Sequence, residues 1–373
     1  MTTERDGSRP PPPLPLSVLT GFLGAGKTTL LNRLLGDPAL ADTAVIINEF
    51  GEVGLDHLLV EQVDDGIVML STGCLCCTLR GNLIDALERL LRNLDNGRAR
   101  FSRVIIETTG LADPAPVLHT LMLHPYLVMR YRLDGIITVI DAVNGAATLD
   151  AHPEAVKQVA VADRLVLTKT DVAAVSADPL RARLRALNPA APILDAAAGE
   201  AVAARLLGCG LYDPGSKIPD VRRWLATEAY ADSHRREGHA HRHDPNRHDA
   251  RIRAFSLTTS QPIPAGAFEM FLELVRSMHG PNLLRLKGIV KLAEHPDVPV
   301  VVHAVQHLMH PVARLERWPD ADRSTRMVFI VRDIEPPAIT ELFDAFLGAA
   351  APDRPDRAAL MDNPLVPFGG VDR

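Results

Sequence analysis

Residues 21–28 read G-F-L-G-A-G-K-T and match the phosphate-binding pattern G-x-x-x-x-G-K-[S/T] at every fixed position. Glycines let backbone N–H groups turn inward around an anion, and a helix that begins after the loop adds the positive end of its dipole. We expect Lys27 to reach the β- and γ-phosphates of a nucleoside triphosphate and Thr28 to place its hydroxyl on Mg²⁺. The motif predicts a protein that binds and hydrolyses such a nucleotide.

A second segment, Thr168-Lys169-Thr170-Asp171, comes close to the guanine-reading pattern N-K-x-D. The Asp171 carboxylate can accept hydrogen bonds from the ring N–H and the exocyclic amine of guanine, a donor pair that adenine lacks, and the Lys169 stem can cover the base. Thr168 replaces the asparagine, and the loss of one hydrogen bond should cost about 1 kcal/mol. The guanine preference is therefore predicted to rest on Asp171, with the backbone amides of residues 195–199 as further candidates. The alternative is an ordinary polar turn.

Carboxylates in two other segments are candidates for acting on Mg²⁺ or on the attacking water. Glu107 follows a β-branched run and opens the sequence E-T-T-G, in which the N–H of Gly110 can approach a γ-phosphate. Glu49 and Asp56 lie in residues 48–56, N-E-F-G-E-V-G-L-D, which we expect to form a switch segment. The alternative for each carboxylate is a solvated loop position.

Three of the four cysteines lie close together, in the sequence G-C-L-C-C. Thiolates are strong ligands for Zn²⁺ and other borderline or soft divalent ions, and Cys74, Cys76 and Cys77 can converge on one ion if the backbone turns. Glu49, a histidine or water can supply a fourth ligand. A redox pair or a set of buried small residues is the alternative.

A histidine-rich segment, residues 233–249, has no hydrophobic periodicity and is predicted to be a linker or an exposed loop. Neutral imidazoles at His239, His241 and His243 can collect Zn²⁺, Co²⁺, Ni²⁺ or Cu²⁺, and a solvated linker without a metal role is an equal alternative. The isolated Cys209 is expected to be a packed or free thiol.

The elements that must position these groups follow an alternating order. Short apolar, mostly β-branched runs occur at 16–20, 44–47, 68–70, 103–106, 135–140 and 164–167, and helical stretches separate most of them. Such alternation predicts a mostly parallel sheet covered on both faces. After about residue 220 the order changes, and apolar patterning resumes at 255–257, 268–275, 289–292, 300–302 and 327–331.

The predicted fold class is therefore α/β, a P-loop NTPase domain with a mostly parallel sheet plus a smaller α+β C-terminal domain. The predicted divisions are a disordered tail at 1–14, the P-loop domain at 15–220, a linker with the histidine-rich segment at 221–250, the C-terminal domain at 251–348 and a disordered tail at 349–373.

Composition limits the partners and the location that we expect. The 373 residues are 47% hydrophobic and 4% aromatic, and the formal net charge is −6, which argues against a nucleic-acid partner that needs a broad basic surface. The sequence contains neither the apolar core of a signal peptide nor an apolar run of membrane-spanning length, so no membrane association is expected and the cytoplasm is the expected location.

The motifs occur in the order G-F-L-G-A-G-K-T-T, N-E-F-G-E-V-G, G-C-L-C-C, E-T-T-G-L-A-D-P and T-K-T-D. In this combination the sequence resembles the CobW-type family of P-loop GTPases, which includes metal chaperones and cobalamin-biosynthesis proteins. The resemblance extends through Arg285-Leu286-Lys287-Gly288 and the strand at 327–332, and it covers about residues 16–345. It implies that GTP binding and slow hydrolysis are coupled to the handling of Zn²⁺, Co²⁺ or a related ion, which passes to a client metalloprotein or metal-insertion machinery.

The predicted site residues fall into three groups. Nucleotide contacts are predicted from Gly21, Gly24, Ala25, Gly26, Lys27, Thr28, Thr29, Gly110, Thr168, Lys169 and Asp171. Catalytic roles are predicted for Lys27, Glu49, Asp56 and Glu107. Metal ligands are predicted at Thr28 for Mg²⁺ and at Cys74, Cys76, Cys77, Glu49, His239, His241 and His243 for the transported ion.

The mechanism implied is a switch, in which the γ-phosphate orders residues 48–56 and so sets the geometry of the metal site. Two other functions are compatible with parts of the sequence. A metal reservoir or sensor would use the cysteines and histidines with incidental nucleotide turnover. A P-loop kinase for a small molecule would prefer ATP, and the T-K-T-D segment argues against it. The sequence leaves the metal, the client and the oligomeric state open.

Overall fold

A computed structural model describes residues 11–50, 67–72, 77–174, 176–209, 251–306, 308–309 and 312–347, with residues 48–50, 67–72 and 77–82 described by their backbone alone. The predicted linker at 221–250 and the predicted C-terminal tail at 349–373 lie outside the described residues.

The first part of the chain alternates strands and helices. The strands are β1 Leu14–Gly21, β2 Thr43–Phe50, β3 Ile67–Thr72, β4 Arg103–Glu107, β5 Tyr131–Asp141, β6 Arg164–Thr168 and β7 Ile193–Asp195. The helices are α1 Lys27–Leu35, α2 Cys77–Asp95, α3 Ala115–Leu123, α4 Pro125–Arg130, α5 Gly145–Ala151, α6 Pro153–Val161, α7 Asp178–Leu187 and α8 Ala203–Leu206.

These strands form a seven-stranded sheet in the order β3-β2-β4-β1-β5-β6-β7, and all its pairs are parallel. Helices cover both faces, which is why the strands are continuous apolar runs: the last six residues of β1 and all five of β6 are buried. Because the strands are parallel, their carboxyl ends meet at one edge of the sheet. We call this the carboxyl edge, where β1 ends at Gly21, β4 at Glu107, β5 at Asp141, β6 at Thr168 and β7 at Asp195.

The C-terminal part forms a second sheet. Its strands are β8 Ile252–Thr259, β9 Leu283–Val290, β10 Val300–Val305, β11 Leu308–Met309, β12 Ala313–Arg314 and β13 Thr325–Arg332, and its helices are α9 Ala265–His279 and α10 Pro336–Phe346. The six strands are antiparallel, in the order β11-β10-β9-β13-β8 with β12 beside β10. Phe271 and Phe343 of the helices pack edge-to-face, and Phe271 also packs on Phe329 of the sheet. The predicted α/β fold class with a smaller α+β domain is confirmed.

Helix α6 lies between the two sheets. Pro153 begins it at the first helical position, where no N–H is required. Its residues 155, 156 and 158–161 are all buried, and Ala160 packs on Leu284 and Ile330 of the second sheet. A helix that is buried on most of its sides can transmit a displacement from one sheet to the other.

Across the described residues, no helix combines the length and the apolar character that a membrane crossing requires.

A buried ion cluster joins the two sheets at the end of α6. Arg285 donates to the carbonyl oxygen of Val161, and Arg285 and Lys287 both donate to Oδ1 of Asp163. Burial alone would raise the pKa of Asp163, but the charges of Arg285 and Lys287 hold it well below its usual range. Burial next to the Arg285 guanidinium lowers the pKa of Lys287 to about 8.

Replacing Asp163 by alanine should lower the free energy of unfolding by about 3–5 kcal/mol at pH 7, because two buried cations lose their shared anion. A carboxyl group with a lowered pKa contributes its full stabilisation above the pKa of its unfolded state, and this contribution is lost progressively as the pH falls from about 4 toward the much lower pKa of the folded state. Urea unfolding of wild type and variant at pH 7 measures the first effect, and a series from pH 5 down to about pH 2 measures the second. The matched control is Asp297→Ala, which breaks an exposed ion pair with Arg323 and should cost at most about 1 kcal/mol. Equal losses in the two variants would contradict the role of burial.

Candidate nucleotide and metal site

The phosphate-binding motif forms the loop between β1 and α1 at the carboxyl edge. Gly21 has a φ of 143°, and a Cβ atom there would lie 2.3 Å from the carbonyl oxygen of Val139 on β5. Gly26 has a φ of 93° and caps α1, which begins at Lys27. Both positions require glycine, and the helix directs its N-terminal N–H groups toward the loop.

The Lys27 side chain folds back over this loop. Its Nζ atom donates to the carbonyl oxygens of Gly21 at 3.0 Å and Phe22 at 3.2 Å. An ammonium group held beside the loop can turn its donors to an anion that enters the loop.

Thr28 and Glu107 meet at the carboxyl edge. The Thr28 hydroxyl donates to Oε1 of Glu107 over 2.8 Å, and only 4% of Glu107 is exposed. The pairing of β1 with β4 sets Leu19 opposite Glu107, which brings the carboxylate beside the loop. A hydroxyl and a carboxylate oxygen are the hard ligands that Mg²⁺ takes from proteins, so this pair fits that ion.

The segment after Glu107 packs against the phosphate loop through its backbone. A Cβ atom on Gly110 would lie 2.5 Å from the backbone nitrogen of Leu23, so only glycine fits there. The Thr108 hydroxyl donates to Thr20 Oγ1 at 2.8 Å. The two loops therefore touch directly, and a shift of one requires a shift of the other.

The T-K-T-D segment also contacts the phosphate loop. The Thr168 hydroxyl lies 2.7 Å from the carbonyl oxygen of Ala25, to which it donates. Lys169 has a left-handed φ of 59°, and its Nζ donates to Gly24 O at 2.9 Å and to Asp141 Oδ2 at 2.7 Å. The Thr168 hydroxyl is therefore bound to the phosphate loop, whereas the sequence pattern had suggested that this residue contacts the base.

Asp141 is a residue of this site that the sequence reasoning missed. Its carboxylate binds Lys169 and accepts hydrogen bonds from the Asn144 side chain and from the N–H of Val143. Burial works against the charged form, but the hydrogen bonds from Lys169 and Asn144 lower its pKa overall. The sequence signal that could have marked Asp141 as a site residue is its position at the end of a long β-branched run.

Asp171 is exposed, and its neighbour Thr170 contacts a second loop that follows β7. Oδ1 of Asp195 accepts hydrogen bonds from the Thr170 hydroxyl at 2.7 Å and from the N–H groups of Ala197 and Ala198. Arg33 of α1 donates to a carbonyl oxygen of the same loop, that of residue 196. The two segments predicted to surround the base are thus joined to each other and to α1.

Several predicted residues fall at the limits of what is described. Asp56, Cys74, Cys76, His239, His241 and His243 lie outside the described residues, and Glu49 at the end of β2 and Cys77 at the start of α2 are described by backbone alone. Thr29 is exposed in the first turn of α1. Within the described part of the chain no group of three potential metal ligands occurs.

Comparison with known proteins identifies the family. Residues 15–195 match the model of the CobW/HypB/UreG nucleotide-binding domain, and residues 252–347 match the model of the cobalamin synthesis protein cobW C-terminal domain. A zinc chaperone CobW from Pseudomonas aeruginosa is 30% identical over an alignment of 360 residues that covers 87% of this chain and 89% of that protein. The chain belongs to the CobW family. Its first domain therefore has the P-loop GTPase fold of that family.

Two further comparisons agree with this result. The zinc chaperone YjiA of Escherichia coli (strain K12) is 45% identical over 188 residues, which are 50% of this chain and 59% of that protein. The chain thus spans about three fifths of the length of that relative. A crystal structure of Zn(II)-bound YjiA GTPase from E. coli superposes with a TM-score of 0.66 and 29% identity, covering 90% of this chain and 99% of that one.

Proposed function

We propose that this CobW-family protein is a GTP-hydrolysing metal chaperone. It would bind Zn²⁺ or Co²⁺ at its Cys-x-Cys-Cys segment and deliver the ion to a client metalloprotein or to metal-insertion machinery. The observation that carries the nucleotide half of the proposal is the 2.8 Å contact between Thr28 and the buried Glu107 beside the phosphate loop. The metal half is supported by the cysteine cluster and by relatives that are named zinc chaperones.

The chain's own residues divide the work on the nucleotide. Lys27 would move from the loop carbonyls to the phosphates, and Thr28 and Glu107 would hold Mg²⁺. When bound, the ion neutralises charge that develops on the transferred phosphoryl group. Gly110 can bring its backbone N–H to the γ-phosphate because its loop already touches the phosphate loop. Glu49 and Asp56 remain candidates for orienting water.

The order of the strands supports coupling between the nucleotide and the cysteines. β3 ends at Thr72 and α2 begins at Cys77, so the residues between them connect elements that meet the carboxyl edge. Three strand spacings separate β3 from β1, or about 14 Å. Residues 48–56 begin at the end of β2, which lies beside β3. A change in this segment on hydrolysis can therefore reach both sites.

The other functions differ from this one in measurable ways. A small-molecule kinase would prefer ATP and leave the cysteines unexplained. A reservoir or sensor would bind several ions per chain, for which the histidine-rich segment is the candidate. One tightly bound ion per chain, with an affinity that follows the nucleotide, distinguishes the chaperone.

The proposed guanine preference predicts which nucleotides wild type and an Asp171 variant hydrolyse. Wild type should hydrolyse GTP at least about tenfold more efficiently than ATP, because two hydrogen bonds to Asp171 are lost with adenine. Xanthine carries a carbonyl at C2 where guanine carries an amine. The Asp171→Asn side chain can donate to that carbonyl, so kcat/KM should fall for GTP and rise for xanthosine triphosphate. The control is Asp178→Asn, an exposed change on α7. Equal turnover of ATP and GTP by wild type would contradict the GTPase proposal.

A further inference from the structure

Helix α6 contacts the loop that follows Glu107 through side-chain hydrogen bonds and an ion pair. The Gln158 side chain of α6 is 1% exposed, and its Nε2 donates to the carbonyl oxygens of Gly110 at 3.2 Å and Ala112 at 2.9 Å. Both N–H groups of the amide are therefore used on one short segment. Next to it, Lys157 forms an ion pair with Asp113 at 3.3 Å.

Helix α6 is itself fixed on two sides. On the first sheet, the Thr138 hydroxyl donates to the backbone carbonyl of Gln158 at 2.7 Å. At the other end, Arg285 of the second sheet donates to the carbonyl oxygen of Val161, within the buried ion cluster. Buried and closely packed contacts of this kind allow little independent movement of the helix.

The second sheet also contacts the loop directly. Gln306, which follows β10, donates through Nε2 to Asp113 Oδ2 at 3.4 Å. Asp113 thus receives one group from α6 and one from the C-terminal domain. The loop from Gly110 to Asp113 is a junction of three parts of the protein: the phosphate loop, α6 and the second sheet.

We propose that Gln158 is a positioning residue for GTP hydrolysis, which sets the Gly110–Asp113 loop against the phosphate loop and makes its position depend on the docked C-terminal domain. This inference rests on the proposed GTPase function. In the described hydrogen bonds the Gln158 side chain donates to carbonyls of this loop, and it acts through Gly110. The C-terminal domain, which supplies none of the predicted nucleotide contacts, would in this way control turnover.

The role of the Gln158 side-chain amide is tested by Gln158→Leu. The contact between the C-terminal domain and Asp113 is tested by Gln306→Gly. Glycine suits position 306 because its φ is 54°, so the backbone is kept while the side chain is removed. We expect kcat to fall about tenfold or more in Gln158→Leu and about two- to fivefold in Gln306→Gly. The affinity for GDP should change less than about twofold, since GDP lacks the γ-phosphate that this loop approaches. Gln261→Leu, at an exposed position of the C-terminal domain, is the matched control and should behave as wild type.

Amide hydrogen exchange of residues 108–113 gives a readout that does not require turnover. Exchange should be about tenfold faster in both variants, because the loop has lost its support. Unchanged exchange and unchanged kcat in both variants would overturn the proposal, as would a loss of GDP affinity equal to the loss in kcat. Because Gln306 is only partly buried, its variant keeps the test valid if Gln158→Leu does not fold. If wild type fails to hydrolyse GTP, the proposed function is wrong, and hydrogen exchange still decides whether Gln158 positions the loop.

Discussion

Replacing Lys27 by alanine is expected to lower kcat for GTP by about 10²–10³-fold, the cost of removing one preorganised group that stabilises developing charge. The ammonium group lies over the phosphate loop, bound to the carbonyl oxygens of Gly21 and Phe22, and it is the cation that the loop sequence places at the phosphates. The loss should be larger in kcat than in GDP affinity, because charge on the γ-phosphoryl group increases in the transition state.

Two controls separate this effect from damage to the fold. Lys27→Arg keeps the charge but replaces a compact ammonium by a planar fork, so it should restore little of the activity. Lys291→Ala removes a lysine of the C-terminal domain, whose Nζ contacts only Ser260 O among the described hydrogen bonds, and should leave kcat unchanged. Steady-state phosphate release and thermal unfolding of all three variants give the comparison. A Lys27→Ala protein that turns over GTP at more than about a tenth of the wild-type rate would contradict the assigned role.

The second large effect is expected at the cysteine cluster. Replacing Cys74, Cys76 and Cys77 together by serine should weaken Zn²⁺ binding by at least about 10³-fold, because thiolates supply most of the binding free energy at such sites. Competition with a chromogenic chelator at pH 7 measures the affinity. GTP hydrolysis without added metal should change less than about threefold, since these residues supply none of the phosphate contacts.

Cys209 provides the matched control for this experiment. It is buried, its Sγ donates to the carbonyl oxygen of Leu206, and burial raises the pKa of its thiol to about 12. A thiol that stays protonated is a poor metal ligand, so Cys209→Ser should bind Zn²⁺ as wild type does. Equal Zn²⁺ affinity in the triple variant and in Cys209→Ser would exclude the cysteine segment as the metal site.

The parts of this molecule that could be predicted from sequence are those with a local signature. The phosphate loop and the strand runs of the first sheet each depend on spacing within about ten residues, and the structure confirms the α/β fold that they indicated. Helix α2 begins at Cys77, and its first turn has no apolar period that would mark it as helical in the sequence. The apolar patterning noted at 289–292 belongs in part to a strand that spans Leu283–Val290, because charged Arg285 and Lys287 conceal the rest of this buried strand from a hydropathy pattern.

The contacts that position the site could not be predicted in this way. The Thr168 hydroxyl meets Ala25 across 143 residues, and Gln158 meets Gly110 across 48. Nothing in either sequence neighbourhood marks the partner. Asp141 is similar, because its importance follows from the side chain of Lys169, which comes directly after the neighbouring strand β6. Such contacts arise only when the order of strands in the sheet is known.

The central claim is that the bound nucleotide sets the affinity for the transported metal. The most direct test measures the Kd for Zn²⁺ by chelator competition, on one preparation loaded with Mg²⁺ and either a non-hydrolysable GTP analogue or GDP. Our account predicts that the two values differ by about 5- to 150-fold, the usual range of coupling between two sites. Equal values in the two states would contradict it, because a nucleotide that does not discriminate between metal-bound and metal-free protein cannot drive release.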